Sequence, residues 1–180
     1  MVAGVAAFIA WLGASIIVLG DGRRALALGV FFATAGMAVI AWQNAGPAAG
    51  FAVAAGGAFA AARRVVSGPD GWRIMPPGST PRLVLCIASG LVALWVAAAV
   101  TTGPGASLRF TVMLVAGLMG ARVLAGEDPP VLLTATSVLA LAVALPAAMG
   151  DGSDGPWPYL AAAVIAGAVG WLPLRTASAA

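Results

Sequence analysis

Few residues in this 180-residue chain are equipped for chemistry. There is no histidine and no lysine, a single cysteine (Cys86), and nine arginines against six acids. Without histidine the chain lacks the commonest general acid–base group, the usual haem ligand and most zinc ligand sets. One cysteine excludes an intrachain disulfide. Ser79 in Gly78-Ser79-Thr80-Pro81 has neither a histidine nor a lysine anywhere to activate it as a nucleophile.

What remains is a short set of polar positions embedded in apolar sequence. Arg122 lies about one turn from the end of an apolar segment. It either snorkels to the interface or forms a buried pair with Glu127 or Asp128, where it could also meet an anionic solute. Thr134, Thr136 and Ser137 cluster within four residues. Thr134 and Ser137 share a helix face, so their hydroxyls either bond back to their own helix or line a polar path. Gln43 and Asn44 are the only Gln and Asn, just ahead of Gly46-Pro47, which suits a turn or an outer vestibule. Glu127-Asp128 is a carboxylate pair with no visible pocket to split its pKa values. Asp151-Gly-Ser-Asp154-Gly has the spaced acids of a calcium loop without its remaining ligands. Asp21-Gly22-Arg23-Arg24 is similar to the Asp-Gly start of membrane phospholipid-headgroup transferases. The further aspartates at helical spacing are missing, because Ala25-Leu-Ala-Leu-Gly-Val-Phe-Phe follows, and the match is rejected. No catalytic, cofactor or metal site is expected, and an enzyme is the weakest functional class.

The elements that must carry these residues are membrane helices. Hydrophobic residues make up 62% of the chain and charged ones 8%, against about 25% charged in a soluble domain. Mean hydropathy is +1.03. A chain so poor in charge cannot cover a water-facing surface, whereas a bilayer solvates it well. Seven apolar segments stand out, near 2–20, 25–43, 48–66, 82–102, 108–125, 130–149 and 157–174. Each is close to the ~20 residues that cross a hydrocarbon core. The fold class is therefore all-α: one transmembrane domain over 1–180 and no separate soluble domain. The first segment lacks a positive n-region and is read as a retained helix rather than a secretory signal.

Loop chemistry agrees with these cuts. Pro47, Pro81 and Pro129 can each open a helix, with Thr80 and Asp128 as expected N-caps. Arginine alternates with the loops. Arg23, Arg24, Arg63, Arg64, Arg73, Arg82, Arg122 and Arg175 fall on one side and Arg109 on the other. This bias sets the N-terminus outside and the C-terminus inside. Codon usage implied by abundant Ala, Gly, Pro and Arg without Lys points to a GC-rich bacterial genome, hence a bacterial cytoplasmic membrane. Helices one to three and four to six resemble each other weakly, as an inverted repeat would.

Two further features bear on partners. Helix three carries small residues three and four apart (Ala52, Gly56, Ala60; Gly50, Ala54, Ala58), and helix seven carries Ala163/Gly167 and Ala166/Gly170. Such faces pack helices closely, within the chain, in self-association or against other membrane subunits. The longest polar interruption, residues 67–82, holds Trp72 and Arg73 and is expected to lie on the lipid headgroups as a hinge or docking surface. No basic run suits nucleic acid. The leading functional expectation is a non-enzymatic subunit or scaffold of a membrane assembly. The alternatives are a small transporter or channel with a hydroxyl-lined path and, last, a lipid-modifying enzyme.

Overall fold

The computed structural model describes residues 1–68, 70–75, 79–97, 105–126, 128–150 and 155–173. Its described residues form seven α-helices: α1 (Val2–Leu19), α2 (Arg23–Ala45), α3 (Pro47–Val66), α4 (Thr80–Trp95), α5 (Ala106–Ala125), α6 (Pro129–Ala144) and α7 (Trp157–Gly170). Among the described residues there is no β-strand, only one isolated antiparallel bridge between Gly20 and Ile74. Five helices (α1, α2, α3, α5, and α6 with the turn that extends it) are long and apolar enough to cross a membrane; α4 and α7 are shorter apolar helices. The expected segments and the observed helices coincide in number and order.

Proline and glycine set the breaks. Gly46, at φ +87°, makes the turn between α2 and α3, and Pro47 opens α3 where its missing N–H costs nothing. Pro81 and the pair Pro129-Pro130 sit in the first turns of α4 and α6 in the same way. The α4 cap is Ser79 rather than Thr80, which is already helical, and neither the Ser79 nor the Asp128 side chain accepts a capping hydrogen bond from the described first turn. Pro146 cannot continue the α-helical ladder, so the expected sixth segment ends as a 3₁₀ turn, Leu145–Met149.

The helices stack as two rows. α1, α2 and α3 pack side by side, as do α5, α6 and α7. Across the rows α1 meets α5, α2 meets α6 and α3 meets α7. The rows thus meet with each helix of the first facing the helix four places on, and α4 lies outside both, resting on α5 and α1.

Close approach explains the first row. A Cβ on Gly13 would run into the backbone of Ala33, one on Gly36 into Ala6 and Ala10, and one on Gly57 into Thr34. One small-residue face of α3 (Ala52, Gly56, Ala60) and that of α7 are used in the same manner, inside the chain, while Ala54 and Ala58 of the other α3 face are exposed. Gly56 lies against Ala163, Gly167 against Phe59 and Gly170 against Ala60.

Candidate functional site

At one end of the bundle the α1–α2, α3–α4 and α5–α6 connections come together, and most of the described charge gathers there. Asp21, between α1 and α2, is the hub. Its carboxylate accepts from Arg82 Nη1 at 3.3 and 3.2 Å, bringing in the first turn of α4. It also accepts from Arg122 Nη2, in the last turn of α5. The Arg122 side chain is 5% exposed, against 36% for Arg82. That difference separates a buried ion pair, where removing one partner is costly, from a screened one.

Arg122 is therefore held in a buried ion pair. It pairs with an acid a hundred residues earlier in the chain. Glu127 lies outside the described residues. Asp128 lines a small cavity of about 190 Å³ together with Arg82, Arg122, Gly126 and Val131. The Arg122 Nε is buried without a hydrogen-bond partner.

Arg64 is the second buried charge and was not anticipated. It is 1% exposed at the end of α3, donating from Nη2 to Gly170 O at 2.6 Å and from Nη1 to Pro130 O at 3.3 Å. Gly170 closes α7, so the guanidinium satisfies a carbonyl that helix geometry leaves orphaned, at the negative end of the helix dipole. Its neighbour Arg63 points elsewhere, with its guanidinium carbon 5.3 Å from the Trp171 ring centroid. Trp171 in turn stacks on Phe59 at 4.9 Å and donates to Phe59 O. One signal could have exposed Arg64. Adjacent residues on a helix point about 100° apart, so Arg63-Arg64 cannot both face outward at a packed helix end.

The segment after α3 is a docked strap. Asp21 N donates to Arg73 O at 3.1 Å, Met75 N to Leu19 O at 2.9 Å and Arg24 N to Gly71 O at 3.3 Å. Arg23 adds an ion pair to Asp70 at 2.8 Å. Gly22 is essential to this contact, because a Cβ there would meet the backbone of Gly71 and Trp72. Trp72, Arg73, Ile74 and Met75 remain exposed on its outer side. Arg73 and Met75 adopt positive φ, 36° and 51°, values uncommon for side-chain-bearing residues. Pro69 and residues 76–78 lie outside the described residues.

The other expected positions are not brought to this site. Thr134 and Ser137 are buried in α6, each donating four residues back, to Pro130 O at 2.6 Å and Leu133 O at 2.7 Å. Asn44 also donates four residues back, to Ile40 O at 2.8 Å, and both Gln43 and Asn44 are exposed at the opposite end. Trp11 donates across to Cys86 O of α4 at 3.2 Å. Asp151, Asp154 and Arg175 lie outside the described residues. Among the described residues, no group of three metal-binding side chains assembles.

Chemically, the cluster is two guanidiniums sharing one carboxylate, an arrangement that ties the α1–α2 connection, α4 and α5 together. No family model, curated protein or solved structure matches the chain. What stands is an apolar helical bundle compatible with a membrane protein.

Proposed function

We propose that the chain is a non-enzymatic, multi-pass component of a bacterial cytoplasmic membrane, oriented with its N-terminus outside, that serves as a subunit or scaffold of a larger membrane assembly. The observation that carries this reading is the isolation of α4. Of its sixteen residues only Cys86 and Ala93 are buried, whereas ten of the twenty-three in α2 are. Val84, Ala88, Val92 and Trp95 recur at spacings of four, four and three and are all exposed, forming one outward stripe. Membrane helices associate by packing such stripes against another helix. The α3 face of Ala52, Gly56 and Ala60 and the small residues of α7 are occupied within the chain, whereas Ala54 and Ala58 are exposed; the partner surface is assigned to α4 because only two of its residues are buried. The alternative of a small transporter or channel with a hydroxyl-lined path is the second reading, since Thr134 and Ser137 donate to their own helix.

The test is cross-linking in native membranes from a Cys86→Ser background. A Val92→Cys variant should form a discrete adduct with a second membrane polypeptide, or with a second copy. Val164→Cys on the exposed face of α7 should not. Co-purification of that polypeptide should be lost in Val92→Gln while the helical content is kept. A lone monomer from mild detergent, with no adduct at Val92→Cys, overturns the reading.

A further inference from the structure

We infer that a crevice between α1, α4 and α5 holds one acyl chain of a membrane phospholipid. The crevice lies in the half of the bundle remote from the arginine cluster and measures about 440 Å³, within the ~300–1,000 Å³ range of small-molecule pockets. It exists because α4 stands off the two rows and because no side chain fills the wall at Gly4, where an added Cβ would meet nothing within 4 Å; at Gly90 the wall is closed, since a Cβ there would lie 3.0 Å from Trp11 Nε1. Phe8, Trp11, Leu91 and Phe110 form the remaining surface.

The lining decides the class of occupant. In a bilayer a cavity with apolar walls is solvated by lipid chains, and left empty it forfeits dispersion contacts on every wall atom. Among the described lining residues the only polar side chain besides Trp11 is Ser107. The Trp11 indole N–H is already committed to Cys86 O. A quinone or other ligand with ring carbonyls would bury acceptors with almost nothing to meet them, at an uncompensated desolvation cost. A hydrocarbon chain has no such requirement. The phospholipid acyl chain is the occupant that needs only what the crevice offers, and this holds whether or not the outward stripe of α4 meets a partner.

Gly4 supplies the experiment, since a larger side chain there enters open space. The full-length protein is purified from its membrane in mild detergent and weighed intact, with its co-purifying lipids identified. The wild type should carry one phospholipid per chain through exchange into fresh detergent. Gly4→Phe and Gly4→Leu should lose that lipid while keeping the wild-type helical content and melting behaviour. Val164→Phe, on the far face of α7, should retain it. Retention of the lipid by both Gly4 variants overturns the assignment. So does a wild-type protein that carries no lipid, or one that carries an isoprenoid in its place.

Discussion

Asp21 shows how much one side chain can determine in an apolar chain. It joins two arginines from different helices, and one of them, Arg122, is almost wholly buried. Replacing Asp21 by Ala leaves that guanidinium uncompensated. Removing one partner of a buried pair costs about 3–5 kcal/mol. Asp21 is itself 18% exposed and Arg82 more so, which places the loss at the lower end, about 3 kcal/mol. The expected outcome is a clear fall in the denaturant midpoint of Asp21→Ala, largely recovered when Arg122→Met is added, because a pair replaced by apolar packing is often neutral. An unchanged midpoint in the single variant would show the pair to be energetically idle. The pairing was hidden from the sequence because its partners are 61 and 101 residues apart. Only the arginine-rich end common to their loops brought them near, and Glu127 and Asp128 stood closer in the chain.

At the scale of elements the sequence was legible almost throughout. Twenty-residue apolar runs cut by Gly and Pro admit few alternatives once the backbone must satisfy itself, and Pro47, Pro81 and Pro129 mark three helix starts directly. The ends blurred where a helix ran out gradually. The sixth segment passes into a 3₁₀ turn at Pro146, and α7 closes at Gly170, ahead of Pro173. What periodicity could not assign was which small-residue face met which neighbour, since Ala and Gly recur on every side of α3. The structure resolves this as a contrast between two glycines. Gly13 abuts the backbone of α2, whereas Gly117 on α5 has nothing within 4 Å of an added Cβ. Gly13→Ala must push two backbones apart, and overpacking of this kind costs about 1–3 kcal/mol. Gly117→Ala removes only chain entropy and should stabilise by roughly 0.5–1 kcal/mol. Unfolding titrations of the two variants should move in opposite directions; a shared direction would mean that α1 and α2 are not in backbone contact.

At the scale of the whole molecule, the arginine count and the fold make one joint statement. Arg23, Arg64, Arg73, Arg82 and Arg122 all lie at the end where the α1–α2 and α5–α6 connections meet the strap. Gln43 and Asn44 close α2 at the other end. A bilayer distinguishes these ends, because arginine-rich loops stay on the cytoplasmic side and attract its anionic leaflet at about 1 kcal/mol per residue near the surface. The bundle should therefore sit with Asp70 and the exposed Trp72 and Arg73 inside, and Gln43 outside. In a Cys86→Ser background, a membrane-impermeant maleimide applied to intact cells should label Gln43→Cys at once. Asp70→Cys, whose parent side chain is 83% exposed, should be labelled only after permeabilisation. Labelling of Asp70→Cys on intact cells with Gln43→Cys protected would invert the molecule. It would also place the strap and the Asp21 cluster on the outer face, where no soluble cytoplasmic partner could reach them.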